Sequence, residues 1–208
     1  MAPQWFMGEK PARPGGRDGV IAILADTSGS MDINVLTVAL RSVARAVPRA
    51  RVFVFADTVL EVPRLRDGGG LPDVGGGTTM EVGLEAVARL YPQQTIVLSD
   101  GYVNTGTCLA VADGMTGAIS SLWFPTPGIA DHSYNTGRAF MQELARRGGG
   151  QFRDYDPAKG ANGLAQELIS IVRIVEVHHH RGETRHVHHD REHHAMQRAP
   201  SRVRIIRR

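Results

Sequence analysis

The sequence predicts an α/β fold in which helices cover both faces of a mostly parallel central sheet. Short apolar runs of strand length alternate along the chain with segments whose apolar residues recur at helical spacing. Because regular alternation of strands and helices is typical of a parallel sheet, the order of the elements predicts the fold class. A length of 208 residues and a hydrophobic fraction of 42% suit one domain with extensions.

The first half of the predicted domain contains three strands and one helix. Gly19–Ala25 is an unbroken apolar run, as expected of a strand buried on both faces, and Arg51–Phe55 is a second strand. Thr58–Val62 is predicted as a short strand at an edge of the sheet. Between the first two strands, Met31–Val47 has helical spacing and is followed by Pro48. The apolar face of this helix is predicted to comprise Ile33, Leu36, Leu40, Val43, Ala44 and Val47.

The second half continues the alternation after a glycine-rich loop over Asp67–Gly77, which lets the backbone approach a ligand closely. The elements predicted after it are a helix over Met80–Leu90, a strand over Thr95–Leu98, a short helix over Cys108–Ala112, a strand over Ala118–Phe124, a loop over Pro125–Asn135, a helix over Gly137–Arg147, a strand over Gln151–Tyr155 and a helix over Leu164–Val177. The apolar anchors of the first of these helices are predicted to be Val82, Leu84, Val87 and Leu90. The three glycines of 148–150 are expected to follow the end of a helix.

Two flanking segments depart from this pattern and divide the chain into an arm, a domain and a tail. Residues 1–18 are rich in proline, glycine and charge, which predicts a loose arm. Residues 19–176 carry the alternating elements, and residues 177–208 form a basic, His/Arg-rich C-terminal extension. The tail has eight arginines against three acids, or +5, which leaves the rest of the chain at −2. The basic character of the protein therefore belongs to its tail.

The most informative stretch is Ala25–Met31, which reads ADTSGSM and joins the first strand to the first helix. A turn in this position lies at the carboxyl edge of the sheet, where open α/β sheets bind ligands. Asp26, Ser28 and Ser30 alternate along the turn, so their oxygens can point towards one centre. Hard oxygen donors of this kind suit Mg²⁺ or Mn²⁺ better than Zn²⁺.

Asp-x-Ser-x-Ser after an apolar strand resembles the metal-ion-dependent adhesion site of von Willebrand factor A (vWA) domains. Two further parts of that pattern follow in order: Gly75–Met80 reads GGGTTM, and Ile96–Gly101 reads IVLSDG. Phe140–Tyr155 is similar to the late helix, glycine turn and last strand of the family. The resemblance extends from about Val20 to about Val175, and it implies a Rossmann-like vWA fold.

The resemblance also implies a ligand set for one divalent cation, either Mg²⁺ or else Mn²⁺ or Ca²⁺. Ser28, Ser30 and Thr78 would contact the ion directly or through water. Asp26 and Asp100 would lie close to it. Because hydroxyl ligands leave the ion underneutralised, it should accept a further carboxylate from outside. A protein partner that supplies an acidic side chain would then bind only when the metal is present.

Each part of this pattern also has a purely structural interpretation. Ser30 could cap the first helix, and Thr78 could form a capping box with the glutamate three residues later. Asp100 could belong to a Ser-Asp-Gly turn, in which Ser99 only supports the turn. Capping explains one such residue, but it does not explain three in the first loop together with an aspartate after another strand. The metal interpretation is therefore preferred, with Thr79 as the alternate to Thr78.

The resemblance implies a protein-binding adaptor module, not an enzyme. Gly-x-Ser-x-Gly and Walker A motifs are absent from the sequence, so neither a hydrolase of that type nor a nucleotide hydrolase is expected. Intracellular stand-alone vWA proteins often work beside MoxR-type AAA+ ATPases, so such an ATPase is an expected partner. A cytoplasmic location without membrane contact is expected, because the first residues lack a signal-peptide core, long apolar runs are absent and Cys108 is the single cysteine.

The tail predicts a different class of function, nonspecific binding of nucleic acid. Its arginines near the C-terminus would favour phosphates without sequence preference. Eight of the nine histidines lie over 178–194, and clustered imidazoles could bind Zn²⁺. His189–His193 formally matches the His-x-x-Glu-His zinc protease pattern, but few residues follow to supply a third ligand and a cleft. A solvated tail or an oligomerisation segment is at least as good an interpretation.

Overall fold

A computed structural model of the chain describes residues 19–125 and 131–172, without the side chains of residues 131–135. The predicted arm over 1–18 and the predicted tail over 177–208 lie outside these ranges. The Zn²⁺ and nucleic-acid sites predicted for the tail are therefore outside the described residues as well. The boundaries 1–18, 19–176 and 177–208 stay predictions.

The described residues form one six-stranded sheet. Its strands are β1 (Ile21–Asp26), β2 (Ala50–Phe55), β3 (Val59–Glu61), β4 (Gln94–Ser99), β5 (Ala118–Trp123) and β6 (Gly149–Asp154). Their order across the sheet is β3-β2-β1-β4-β5-β6. β3 pairs antiparallel with β2 at one edge, and every other neighbouring pair is parallel. The predicted mostly parallel sheet with a short edge strand is therefore confirmed.

Helices cover both faces of this sheet. They are α1 (Ile33–Ala46), α2 (Met80–Ala88), α3 (Thr105–Gly114), α4 (Asp131–Gly148) and α5, the helical residues 160–172. On one face α1 and α5 bury their apolar residues against the sheet, and on the other face α2, α3 and α4 do so. Successive residues of β1 alternate between the two cores, with Ile23 in one and Leu24 in the other. This is why β1 is apolar without interruption.

The register of the central strands brings their carboxyl ends level with one another. Ala25 of β1 is opposite Leu98 of β4, and Asp26 is opposite Phe55 of β2. The loop that follows β4 therefore leaves the sheet beside the loop that follows β1. Because β1 and β4 are both internal strands, the two loops meet in the middle of the carboxyl edge, where such sheets bind ligands.

Two of the predicted apolar faces are wrong at one position each. Ile33 and Val82 are 38% and 37% exposed, although helical spacing places them among the buried residues. Both lie in the first turn of their helices, α1 and α2. Periodicity identifies the face of a helix, but it does not show where along that helix the covering sheet ends. The deeper positions Leu36 and Leu84 are fully buried, as predicted.

The segment around α4 also differs from the prediction. Residues 131–135 belong to α4, whereas the sequence predicts a loop over 125–135. Polar residues of low helix propensity open this helix, so no apolar repeat marks its start. At its other end, Gly148 is the last helical residue and the next two glycines belong to β6. A side chain on Gly148 or Gly150 would overlap Ile119 of β5, so these glycines allow the end of α4 and the start of β6 to lie close to β5.

Candidate metal centre

Two loops at the carboxyl edge of the sheet carry four of the five predicted ligands. Asp26 is the last residue of β1, and Ser28 and Ser30 follow it in the loop that leads to α1. Asp100 directly follows β4. Both acidic residues are almost completely buried, with 0% of Asp26 and 2% of Asp100 exposed. Two buried acidic groups in adjacent loops require strong hydrogen bonds or a nearby positive charge.

The Asp26 carboxylate is held by donors from both loops. Oδ1 accepts the Ser28 backbone N–H at 2.9 Å, and Oδ2 accepts the Ser99 hydroxyl at 2.7 Å. The Ser99 Oγ atom in turn accepts the Gly101 backbone N–H at 3.0 Å. Ser99 therefore joins the β4 loop to the end of β1, in addition to supporting its own turn. The sequence predicts only the turn role for Ser99. The signal for the second role is its position as a hydroxyl at the end of β4, the strand beside β1.

A second chain of hydrogen bonds runs from Ser28 to Asp100. The Ser30 hydroxyl donates to Asp100 Oδ2 at 2.6 Å, and the Ser28 and Ser30 Oγ atoms are 3.2 Å apart. Because each hydroxyl has one proton and that of Ser30 is directed to Asp100, a hydrogen bond within the serine pair requires Ser28 as its donor. Both serine oxygens keep lone-pair capacity for a further interaction. Asp26, Ser28, Ser30 and Asp100 thus form one connected cluster.

The β4 loop is fixed in position by its surroundings. Asp100 Oδ1 accepts the Tyr102 backbone N–H at 3.1 Å, and the Asp100 carbonyl accepts the Trp123 indole N–H at 3.0 Å. Gly101 has a φ of 82°, which favours glycine. A side chain on Gly101 would overlap the Gly137 carbonyl, and one on Gly137 would overlap the Asp100 carbonyl. The backbone of α4 therefore lies directly against the turn that presents Asp100.

Burial makes Asp26 a costly place for a negative charge. It raises the pKa of Asp26 from the ordinary 3.8 to about 6, although the hydrogen bonds from Ser99 and Ser28 act in the opposite direction. The negative charge of Asp100 raises the pKa further. None of the ion pairs found within residues 19–125 and 136–172 involves Asp26. A bound cation would relieve this unfavourable ionisation.

The donor set fits a hard divalent cation. Mg²⁺ prefers octahedral oxygen ligands at about 2.0–2.1 Å, which places adjacent ligand oxygens roughly 3 Å apart. The Ser28 and Ser30 oxygens, at 3.2 Å, have this separation. Within the described parts of the chain no group of three or more His, Cys, Asp or Glu side chains is placed to hold a metal. The cluster therefore offers hydroxyl and carboxylate oxygens, which suit Mg²⁺, Mn²⁺ or Ca²⁺ and not Zn²⁺.

Thr78, the fifth predicted ligand, lies in the glycine-rich loop before α2 and is partly buried. In the described residues no hydrogen bond joins it to the Asp26 cluster. The capping box suggested for Thr78 is wrong, because the N-cap of α2 is Thr79 and its side chain makes no capping bond. The helix cap suggested for Ser30 is wrong as well, since Asp32 caps α1 by accepting the backbone N–H groups of two residues. Thr78 and Ser30 are therefore not used as caps.

The chain is similar in fold to solved structures. The chain matches no protein-family model and no curated protein. Among solved structures, 21 chains match it. One is an aerotolerance-related membrane protein from Bacteroides fragilis NCTC 9343 with multiple mutations to serines. It is 17% identical to this chain at a TM-score of 0.57, and the match covers 76% of this chain and 99% of that chain.

The strand order, the single antiparallel edge strand and this structural likeness together define a vWA-like, Rossmann-type α/β fold. The predicted fold class is therefore confirmed. The protein of that solved structure is named a membrane protein. Within residues 19–125 and 131–172 of this chain, no helix has the length and apolar character needed to cross a membrane. The cytoplasmic location stays a prediction.

Proposed function

We propose that this protein is a divalent-cation-dependent protein-binding module of the vWA type. The observation that supports this most is the hydrogen bond from Ser30 to Asp100, which joins two loops into one cluster containing two buried acids. Capping or turn formation within either loop does not require such a connection. The proposed site consists of Asp26, Ser28, Ser30, Thr78 and Asp100, and the proposed ion is Mg²⁺, with Mn²⁺ or Ca²⁺ as substitutes.

The residues of the cluster have separate parts in this proposal. Ser28, Ser30 and Thr78 would supply neutral hydroxyl oxygens to the ion, and Asp26 and Asp100 would supply negative charge close to it. When bound, the ion would present uncompensated positive charge to an acidic side chain of a partner. Asp26 and Asp100 also hold the serine loop in place through the hydrogen bonds described above. The protein itself would carry out no chemical reaction.

Metal binding tests the first half of this proposal. Calorimetric titration of the metal-free protein with Mn²⁺ should show one saturable binding site. Ser30→Ala should weaken that binding at least about tenfold, as expected when a metal ligand or its support is removed. Ser42→Ala is the matched control, because its hydroxyl bonds to the Val38 carbonyl within α1 and is remote from the site. Equal affinity in the two variants would contradict the proposed ligand set.

Capture of partner proteins tests whether the protein binds other proteins through the metal. We expect the immobilised protein to retain the same acidic-surfaced partner proteins in Mg²⁺ and to lose them in EDTA, with Ser30→Ala behaving like EDTA. The family resemblance makes a MoxR-type AAA+ ATPase or a protein that such an ATPase remodels the expected partner, in a cytoplasmic setting. Recovery of identical proteins with Mg²⁺ and with EDTA would count against an adaptor that works through the metal.

A second candidate function rests on the charge of the tail. Residues 177–208 carry +5, while the rest of the chain carries −2. This asymmetry supports nonspecific nucleic-acid binding by the tail, with the vWA-like body as a scaffold. Retention on DNA or RNA that decreases with salt, and that disappears when residues 177–208 are deleted, would support it. Binding that is unaffected by salt would argue against it.

A further inference from the structure

Asp57 lies just after β2 and faces the glycine-rich loop that carries Thr78. Its Oδ2 atom accepts the Gly76 backbone N–H at 3.1 Å. The residue is exposed, and among the described residues it takes part in no ion pair. A carboxylate at this position is therefore not explained by core packing or by a basic partner. Its contacts are with the loop.

The loop is shaped around this carboxylate. A side chain on Gly75 or on Gly77 would overlap the Asp57 carboxylate oxygens. Gly75 also has a φ of 98°, a backbone conformation that residues with a side chain rarely adopt. Gly76 lies between these two glycines and is the residue that donates the hydrogen bond. The three consecutive glycines thus allow the backbone to wrap closely around one side chain.

Backbone bonds complete the attachment of the loop to the end of β2. The Asp57 N–H donates to the Val74 carbonyl at 3.1 Å, before the glycines. The Thr79 N–H donates to the Ala56 carbonyl at 2.8 Å, after them. Thr78 lies between the Gly76 and Thr79 attachments and is one residue from the second. Its position is therefore set by bonds to two consecutive residues, Ala56 and Asp57.

We infer that Asp57 is a positioning residue for the metal centre, which holds Thr78 in place by clamping the glycine loop to the end of β2. This inference rests on the proposed function, because it assigns Asp57 a part in a cation site to which Thr78 contributes. Asp57 acts through the loop and is not itself a ligand. The clamp is the hydrogen bond between the Asp57 carboxylate and the Gly76 N–H. It restricts the backbone of a loop that three consecutive glycines would otherwise leave flexible.

Mn²⁺ affinity measured by calorimetry tests this role. Asp57→Ala should weaken binding about tenfold, the lower end of the effect expected for residues that orient metal ligands. Asp57→Asn should keep most of the affinity, because its amide oxygen can still accept the Gly76 N–H. Asp73→Ala is the matched control: it removes an equal charge from the loop that Asp57 faces, but the Asp73 carboxylate accepts the Gly75 N–H within that loop and does not join the loop to β2. It should bind Mn²⁺ like the wild type.

A double-mutant cycle shows whether Asp57 acts through Thr78. If it does, Asp57→Ala combined with Thr78→Ala should bind Mn²⁺ no more weakly than Thr78→Ala alone. Additive losses would overturn the inference, and so would an Asp57→Asn variant as weak as Asp57→Ala. Urea unfolding of the metal-free variants separates a loss of affinity from a loss of folded protein.

Hydrogen exchange in the metal-free protein tests whether Asp57 holds the loop, independently of whether the protein binds a metal. In the metal-free protein, Asp57→Ala should speed exchange of the Gly76 and Thr79 amides, whereas Asp73→Ala should leave the Thr79 amide unchanged. If the wild type binds no Mn²⁺, the proposed function fails, and the exchange data still decide whether the clamp exists. Unchanged exchange at both amides in Asp57→Ala would overturn the clamp even in a protein that binds Mn²⁺.

Discussion

The Ser99 hydroxyl donates a buried 2.7 Å hydrogen bond to Asp26 Oδ2, although the two residues are 73 positions apart in the chain. The bond exists because β1 and β4 are neighbours and their carboxyl ends are level. It opposes the effect of burial on the pKa of Asp26 more than any other hydrogen bond does. The stability of the metal-free site should therefore depend on Ser99 and on pH together.

Removal of the Ser99 hydroxyl should destabilise the metal-free protein most when Asp26 is ionised. We expect Ser99→Ala to lower the free energy of unfolding by about 2 kcal/mol at pH 7.5, since a hydrogen bond to a charged group is lost. At pH 4.5, where Asp26 is protonated, the loss should be about half as large. Urea unfolding at the two pH values measures both.

Ser121→Ala provides the control for this comparison. Its buried hydroxyl donates at 2.6 Å to the Met141 carbonyl, a neutral acceptor. Its removal should therefore cost the same free energy at both pH values. A loss in Ser99→Ala that is also independent of pH would contradict the role given to Ser99.

The raised pKa of Asp26 predicts the sign of a pH effect on stability. Between the ordinary pKa of 3.8 and the folded value of about 6, the folded state binds more protons than the unfolded state. The contribution of Asp26 to the stability of the metal-free protein should therefore decrease as the pH rises through this window. The loss should approach about 3 kcal/mol, from roughly two pKa units at 1.36 kcal/mol each.

Asp26→Asn isolates this effect from the titration of other groups. The difference in free energy of unfolding between wild type and Asp26→Asn, measured by urea unfolding from pH 3.5 to 7.5, should shift in favour of the variant as the pH rises. A difference that is constant across this range would show that Asp26 ionises in the folded protein as readily as in the unfolded chain.

Addition of Mg²⁺ should stabilise the wild type. At a concentration of 100 times the Kd, the free energy of unfolding should increase by about 2.7 kcal/mol. At a fixed Mg²⁺ concentration the gain should be larger above pH 6 than below it, because the ion binds more tightly beside an ionised Asp26. Thermal unfolding with and without Mg²⁺ checks this. Ser28→Ala should lose the gain and Ser42→Ala should keep it; a gain of equal size in both variants would place the ion elsewhere.

The close approach of α4 to the Asp100 turn predicts opposite outcomes for two glycine substitutions. Gly137→Ala introduces a side chain that overlaps the Asp100 carbonyl, so it should destabilise the fold by about 1–3 kcal/mol and weaken Mn²⁺ binding. Gly106→Ala in α3 meets open space and should stabilise by about 0.5 kcal/mol. Urea unfolding and Mn²⁺ calorimetry compare the two; a Gly137→Ala variant that matches Gly106→Ala would refute the close approach.

Much of the fold is predictable from the sequence because its local patterns are strong. The apolar run of β1 and the spacing of Leu36 and Leu84 reflect burial on known faces. Ile33 and Val82 depart from their pattern because only the tertiary structure decides which turns of a helix the sheet covers. The start of α4 carries no such pattern, since its polar residues fit a loop as well as a helix.

Some residues of the candidate site are also predictable from the sequence, and others are not. Asp26, Ser28 and Ser30 form a local motif that can be recognised within one loop, and the structure connects them to Asp100 as expected. The contacts of Ser99 and Asp57 could not be predicted, because the first depends on which strands are neighbours and the second on where a distant loop packs. Local sequence does not contain strand order, and both residues resemble ordinary turn residues when viewed alone.

The position of the bound ion in a crystal would show directly whether the Asp26 cluster is the metal site. Crystals grown with Mn²⁺ and measured at its absorption edge should show one anomalous peak at the carboxyl edge of the sheet. If the cluster binds the ion, this peak lies within about 2.5 Å of the Ser28 and Ser30 oxygens. A protein that shows no peak there, or that binds Mn²⁺ only through other residues, would contradict it.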